Sequence, residues 1–273
     1  MIDIENGYLA TYPAASFTFS RVDGLPSELH TLWMQMAAGE HREALSESRR
    51  LLREKTVRGR PLAALMAAAG AAELRCGNAA EGVVLAKRSL AILPDQWLAH
   101  AVRIAAYLAQ QASGRAYRYA MTLQGCETVE AWDEPPSATD TQITLASLAW
   151  RVGAWEDVAE SLDRAFPAGV ASMPPPLQTD WFRLAFYRDQ PDDAAAAARA
   201  LLPACTIEQL DTILNAMVQH GWTAEALPLY RQAFTRNTAS QLLRRRLVGL
   251  CVREGEVEEA RQLAASGALN ILV

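Results

Sequence analysis

The stretch that decides the fold is RCGNAAEGVVLAKRSLAILP, residues 75–94. Its residues predict the end of one helix, a turn at Gly77, and a second helix that ends before Pro94. Glycine accepts the left-handed backbone conformation in which many helices end. Glu81 lies in the first turn of the second helix, where an acidic side chain interacts favourably with the helix dipole. The stretch therefore predicts two helices joined by a tight turn.

The same pattern recurs along the chain at nearly regular intervals. The predicted turns lie at or near Gly39, Gly77, Gln111, Gly153, Gln190, Gly221 and Gly255, and those at Gln111 and Gln190 are the weaker copies. Successive turns are 38, 34, 42, 37, 31 and 34 residues apart. Neither helix of such a pair buries its apolar face alone, whereas stacked pairs share a continuous core. The chain is therefore predicted to be all-α, with about seven antiparallel helix pairs.

The repeat extends beyond the turn residues. Five residues after each turn the sequence has Ala44, Gly82, Ala116, Val158, Ala195, Ala226 and Ala260. Six of these seven side chains are small, so the two helices of a pair are expected to approach closely there. Seven residues before each turn it has Leu32, Gly70, Ile104, Ala146, Arg183, Leu214 and Val248. Arg183 breaks this apolar pattern, which makes the fifth pair the least regular.

The spacing, together with Gly70 and Pro94 around the second turn, resembles the tetratricopeptide-repeat (TPR) family. The resemblance covers residues 25–270, nearly the whole chain. It implies a right-handed solenoid in which the first helix of each pair lines a concave groove. In that family the groove holds a segment of another protein. The motif is degenerate, so it specifies the fold far better than the function.

The departures from the repeat suggest a division of the chain. The predicted parts are an N-terminal arm or cap (1–24) on the first helix pair, front repeats (25–124), an acidic loop around Trp132 (125–138), rear repeats (139–268) and an apolar C-terminal tail (269–273). The arm contains Tyr8, Tyr12, Phe17 and Phe19. The acidic loop and the proline-rich link 167–176 are candidate bends. The tail is expected to fold back or to dock on a partner.

Composition excludes several classes of function. The 273 residues are 51% hydrophobic and 21% charged, with a net charge of −5, so the basic surface of a general nucleic-acid binder is not expected. Asp3 and Glu5 stand where a secretory signal has basic residues. No apolar stretch reaches the roughly 20 residues of a membrane-spanning helix. The sequence therefore predicts a cytoplasmic protein without membrane insertion.

The residues that usually carry chemistry are scattered. The four histidines lie in separate repeats, and the four cysteines form no CxxC pair. The chain has no GxGxxG, GxxxxGK[ST], GxSxG or HExxH motif. We therefore expect no catalytic residue, no metal site and no cofactor, and the protein is predicted not to be an enzyme.

One regularity points to binding. Arg75, Arg151, Arg188 and Arg253 each follow a bulky residue two positions before a turn, if the fifth turn is at Gln190. Trp150 and Tyr187 stand beside two of them as candidate exposed anchors. By the resemblance, the same groove includes Asn215 and Arg245, with Ser147 and Asp211. Such arginines suit an acidic segment or a C-terminal carboxylate. Alternatively, arginines in the last turn only interact with the unpaired carbonyl groups at the end of the helix.

The leading hypothesis is a non-enzymatic protein-interaction module, a scaffold, adaptor or chaperone that binds a partner segment in the concave groove. A bacterial cytoplasmic protein serving a larger assembly fits this description. The alternative is a regulatory subunit of a separate catalytic polypeptide. A homo-oligomer through the terminal repeats is compatible with either, because an uncapped end helix exposes its apolar face.

Overall fold

The computed structural model describes residues 7–13, 26–123 and 137–268, and every regular element among them is helical. The first element is the short helix α1 (Tyr8–Thr11). The chain divides into two compact units, one formed by Thr11–Ala165 and one formed by Met1–Ala10 with Phe166–Val273. The prediction of an all-α chain built from seven helix pairs is confirmed.

The unit Thr11–Ala165 contains four pairs, each joined by a turn of two or three residues. They are α2 (Ser27–Ala38) with α3 (His41–Glu54), α4 (Arg60–Arg75) with α5 (Ala79–Ile92), α6 (Trp97–Ala109) with α7 (Ser113–Met121), and α8 (Ala138–Val152) with α9 (Trp155–Ala165). Each pair contacts the next, through α3 with α4, α5 with α6 and α7 with α8. The first helices of neighbouring pairs also touch, α2 with α4 and α4 with α6. This is the nearest-neighbour packing of a repeat array.

The unit that includes Phe166–Val273 contains the other three pairs. They are α10 (Pro175–Arg188) with α11 (Pro191–Leu201), α12 (Ile207–His220) with α13 (Thr223–Arg236), and α14 (Gln241–Arg253) with α15 (Val257–Ala268). The proline-rich link before α10 forms a short 3-10 turn, Val170–Ser172. α12 begins with a capping box, in which Thr206 and Gln209 each bond the other's backbone N–H through the side chain.

A residue with positive φ lies in the turn of every pair. These residues are Gly39, Gly77, Gln111, Gly153, Asp189, Gly221 and Gly255. Six of the seven are the predicted turn residues. In the fifth pair the prediction of Gln190 is wrong by one position, because Asp189 adopts the left-handed conformation with φ of 51°.

This shift explains the irregularity of the fifth pair. Counted from Asp189, the residue seven positions before the turn is Phe182, which is buried, and Arg183 falls outside the apolar register. The residue five positions after the turn is Ala194, which is fully buried, in place of the predicted Ala195. With this correction, the residue five positions after the turn is buried in all seven pairs, and it is small in all of them except the fourth, where it is Val158. The buried position after the turn was therefore predicted in six pairs and misplaced by one residue in the fifth.

The predicted arm is described only for residues 7–13. Tyr8–Thr11 is helical, and the backbone N–H of Leu9 donates to Asp180 of α10. The prediction of an extended arm on the first helix pair is therefore wrong for these residues. The predictions for Phe17, Phe19, Trp132 and the tail 269–273 fall outside the described residues. Among the helices of the described ranges, none combines the length and the apolar character needed to cross a membrane.

Candidate functional site

The predicted partner-binding side chains all lie on the first helices of pairs. Arg75 is on α4, Trp150 and Arg151 are on α8, Tyr187 and Arg188 are on α10, Asn215 is on α12, and Arg245 and Arg253 are on α14. The first three belong to the unit Thr11–Ala165, and the remaining five belong to the other unit. Their environments differ, and those environments decide what each can bind.

Arg75, Arg151, Arg188 and Arg253 are called the arginine ladder here, and Arg75 and Arg253 have its most accessible guanidinium groups. Each is the last residue of its helix, and each is exposed. A cation in this position interacts favourably with the negative end of the helix dipole. Because an exposed guanidinium keeps several donor groups directed to solvent, both side chains can also bind an acidic group.

Arg151 is half-buried and already binds a main-chain group. Its Nη2 donates a hydrogen bond to the backbone carbonyl oxygen of Tyr12 at 2.9 Å. Its Nε is buried with no hydrogen-bond acceptor among the described residues. Burial lowers the pKa of the Arg151 guanidinium from its ordinary value. In this unit a first helix therefore holds the backbone of a segment that is not part of any pair.

Arg188 differs from the other three predicted arginines. Because the fifth turn is at Asp189, Tyr187 and not Arg188 lies two residues before the turn. Arg188 Nη1 instead forms an ion pair of 3.1 Å with Asp193 of α11. The register shared by Arg75, Arg151 and Arg253 is thus occupied by arginine in three pairs, and Arg188 links the two helices of its own pair.

The expectation of an exposed aromatic anchor is wrong for Trp150. Its side chain is only 4% exposed, and its ring packs edge-on against Trp155 with 5.4 Å between centroids. Core packing between α8 and α9 accounts for this residue. Tyr187 is half-buried on α10 and retains some accessible surface.

The remaining predicted residues lie near a basic run on α14. Asn215 is half-buried, and Arg245 is exposed. Arg246 forms a bidentate ion pair with Asp211, at 3.0 and 3.1 Å, so Asp211 is engaged within the unit. Arg244 lies 5.6 Å from the centre of the Phe234 ring. The three consecutive arginines therefore point in different directions and form no continuous basic face.

Sequence reasoning missed Asp180 on α10. Its carboxylate is fully buried, accepts a hydrogen bond from the backbone N–H of Leu9 at 2.6 Å, and pairs with Arg183 at 3.0 Å. Burial raises the pKa of Asp180, although the N–H donors and Arg183 act in the opposite direction. The detectable signal was an aspartate and an arginine three residues apart on one helix, a spacing that suits an ion pair.

One group of side chains in the described ranges has the donors of a metal site. Cys251, Glu256 and Glu259 have donor atoms within 4.8 Å of one another. Arg231 forms ion pairs with both carboxylates. Because the guanidinium already neutralises these acids, a cation would have to compete with a covalently attached positive charge. The arrangement is that of a salt-bridge network between α13 and α15.

A second basic surface lies on α3, the second helix of its pair. A cavity of about 840 Å³ is bordered by Arg42, Arg49 and Arg53 of this helix and by Cys76 and Asn78 of the next turn. Arg49 is paired at 2.7 Å with Glu73, whose side chain is buried. Arg42 and Arg53 are exposed. This surface is useful as a comparison for the arginines of the first helices.

Comparison with known proteins supports the fold and gives no function. No protein-family model matches the chain, and no curated protein sequence is similar to it. Among solved structures, the chain is similar to a crystal structure of a tetratricopeptide repeat protein from Parabacteroides merdae ATCC 43184. The two are 13% identical with a TM-score of 0.52, and the match covers 86% of this chain and 95% of that chain. The chain therefore has a TPR-like fold, as its repeats predicted.

Proposed function

We propose that this protein is a non-enzymatic interaction module that binds a segment of a partner protein along the first helices of its pairs. The observation that carries this proposal is the hydrogen bond from Arg151 to the backbone carbonyl of Tyr12. Asp180 of α10 likewise accepts the backbone N–H of Leu9. In each unit a first helix thus binds a main-chain group of a residue outside the repeats, which is the chemistry of peptide recognition.

The proposed partner segment is acidic or ends in a carboxylate. Arg75 and Arg253 are exposed and share one register, so their guanidinium groups are accessible to such a group. Arg151 and Arg188 contribute less, because a carbonyl oxygen and Asp193 already engage them. A role as scaffold, adaptor or chaperone in a bacterial cytoplasm is part of this proposal.

The experiment compares capture by three forms of the full chain. The wild type, the double variant Arg75→Glu/Arg253→Glu and the double variant Arg42→Glu/Arg53→Glu are immobilised and exposed to a lysate of the source cells. The bound proteins are then identified by mass spectrometry. Both variants change the net charge by the same amount, but only the first alters the first helices. All four arginines are exposed, so folding is expected to stay intact and is checked by circular dichroism.

A partner that uses the first helices is lost from the Arg75→Glu/Arg253→Glu form and kept by the Arg42→Glu/Arg53→Glu form. Its binding to the wild type weakens as salt is raised, because exposed charges are screened. If both variants capture the same proteins as the wild type, binding does not involve these arginines. If both lose the same proteins, the interaction depends on net charge alone, and the proposed surface is wrong.

A further inference from the structure

Residues Gly7–Ala10 lie against α10 in a contact with the features of a bound peptide. The Leu9 side chain is fully buried. The backbone N–H groups of Tyr8 and Leu9 both donate to the Asp180 carboxylate, the second with 2.6 Å between Leu9 N and Asp180 Oδ2. Main chain and side chain are thus both held, by residues about 170 positions further along the sequence.

The first residue of this segment has to be small. A Cβ placed on Gly7 would lie 2.8 Å from Asp180 Oδ1 and 3.2 Å from Arg183 Nη1. The first distance is shorter than any ordinary contact, and the carboxylate cannot move away easily because it is fully buried and paired with Arg183. A larger residue at this position would therefore displace the ion pair.

The buried Asp180 carboxylate accepts hydrogen bonds from backbone N–H groups in place of water. A buried charge is stable only when hydrogen bonds replace the water it has lost. Arg183 supplies one donor, and adjacent backbone N–H groups supply the others. If Gly7–Ala10 left, Asp180 would need another pair of backbone donors or renewed contact with water. The site therefore favours a segment with two adjacent free N–H groups and an apolar side chain.

We propose that the surface of α10 around Asp180 and Arg183 is a peptide-binding slot that Gly7–Ala10 occupies in the free protein, and that a partner segment binds there by displacing it. The partner segment has a small residue two positions before a leucine. This inference rests on the proposed function and specifies one surface to which the partner segment binds. Gly7–Ala10 then acts as an internal competitor that limits access to the slot.

The covalent link makes this competition strong. Binding of Gly7–Ala10 is intramolecular, whereas a free peptide loses translational and rotational freedom when it binds. A free peptide with the same contacts therefore binds the wild type poorly, since only the fraction of molecules with an open slot is competent. Releasing Gly7–Ala10 removes this competition without altering the slot.

The test uses the full chain and a fluorescent, N-terminally acetylated peptide with the sequence of residues 7–13, GYLATYP. Binding is measured by fluorescence anisotropy to the wild type and to the variant Leu9→Asp, in which a charge replaces the buried leucine of the internal segment. We expect the peptide to bind the variant at least tenfold more tightly than the wild type. Adding Asp180→Asn to the variant, or replacing the peptide's leucine with aspartate, should weaken binding at least tenfold.

A second measurement uses the wild type, so it does not depend on the folding of Leu9→Asp. Unlabelled peptide in excess is added to the wild type, and hydrogen exchange is followed by mass spectrometry in the peptic fragment that contains residues 7–10. Displacement predicts faster exchange in this fragment, with no change in α14. Circular dichroism and thermal melting show whether Leu9→Asp retains its helices.

Two results would overturn the inference. Equal binding of the peptide to the wild type and to folded Leu9→Asp means that Gly7–Ala10 does not control access. Absence of binding to folded Leu9→Asp, with unchanged exchange in the wild type, means that the contact is a permanent part of the fold. Neither result affects the capture experiment with Arg75 and Arg253, so the proposed function is tested separately.

Discussion

Gly70 of α4 and Gly82 of α5 lie so close that a side chain at either position would press on the backbone of the other. A Cβ on Gly70 would be 3.1 Å from the carbonyl oxygen of Gly82, and a Cβ on Gly82 would be 3.0 Å from the carbonyl oxygen of Gly70. In both cases the obstacle is backbone, which cannot rotate away. A methyl group at either glycine of the second pair therefore requires the two helix backbones to move apart slightly.

Gly70→Ala and Gly82→Ala are each expected to lower the free energy of unfolding by about 1–3 kcal/mol, because the added methyl group forces the helices apart. Urea unfolding followed by circular dichroism measures this change. Gly249→Ala in α14 is the matched control, since no atom lies within 4 Å of its added Cβ. There alanine should stabilise the helix by about 0.5–1 kcal/mol. Equal effects at Gly82 and Gly249 would contradict the close crossing.

The third turn offers a test of backbone strain. Gln111 has φ of 56°, a conformation that costs a residue other than glycine roughly 1–2 kcal/mol. Gln111→Gly is therefore expected to raise the free energy of unfolding, by up to about 1 kcal/mol after the greater freedom of glycine in the unfolded chain is included. Gln110→Gly, at a φ of −86°, should instead lower it by about 0.5–1 kcal/mol. The same sign for both variants would argue against the turn assignment.

The position of Trp150 in the core can be separated from a role in binding. Trp150→Ala removes a large buried side chain that packs on Trp155, so a loss of about 3–5 kcal/mol in the free energy of unfolding is expected. Arg75→Glu changes an exposed side chain and should lower this free energy by only about 0.3–1 kcal/mol, through the lost interaction with the helix dipole. Thermal and urea unfolding of the two variants provide the comparison. A Trp150→Ala protein as stable as the wild type would show that the ring does not pack as described.

Asp180 predicts a specific dependence of stability on pH. Burial raises its pKa above the ordinary value of 3.8, so the folded protein holds this proton more tightly than the unfolded chain. Ionisation of the carboxyl group therefore costs stability as the pH rises from near the unfolded value through the folded pKa. Asn cannot lose a proton in this range. The wild type should lose stability relative to Asp180→Asn as the pH rises above the ordinary carboxyl pKa of 3.8.

The measurement is the difference in unfolding free energy between these two proteins at several pH values. Other titrating groups cancel in this difference, because both proteins contain them. A difference that grows in favour of the wild type with rising pH would mean that Arg183 and the backbone donors outweigh burial.

The fold was predictable because its signals are local and repeated. Each turn needs a residue that tolerates positive φ, and glycine supplies it in five of the seven positions. Where another residue takes that conformation, the sequence signal is ambiguous. Asp189 and Gln190 are both plausible turn residues, and the choice of the wrong one moved Arg183 into an apolar register and Arg188 into the arginine ladder.

The candidate site was less predictable because its contacts join distant parts of the chain. The bond between Leu9 and Asp180 spans 171 residues, and no local pattern encodes it. Trp150 was predicted to be exposed because it stands beside an arginine. Arg151 is itself half-buried, so a tryptophan followed by an arginine does not indicate an exposed surface here. Spacing identified the helices that carry these residues, whereas only the packed structure shows which direction each side chain takes.

The two turns closed without glycine also affect how the folded chain moves. Gln111 and Asp189 adopt the left-handed backbone conformation, which costs free energy for any residue except glycine. Separation of α6 from α7, or of α10 from α11, releases that cost, so these pairs need less free energy to open locally than comparable pairs closed by glycine. Local opening of this kind exposes amide protons and peptide bonds while the rest of the structure stays intact. Hydrogen exchange and proteolysis are therefore expected to begin within these two pairs before the units that contain them unfold.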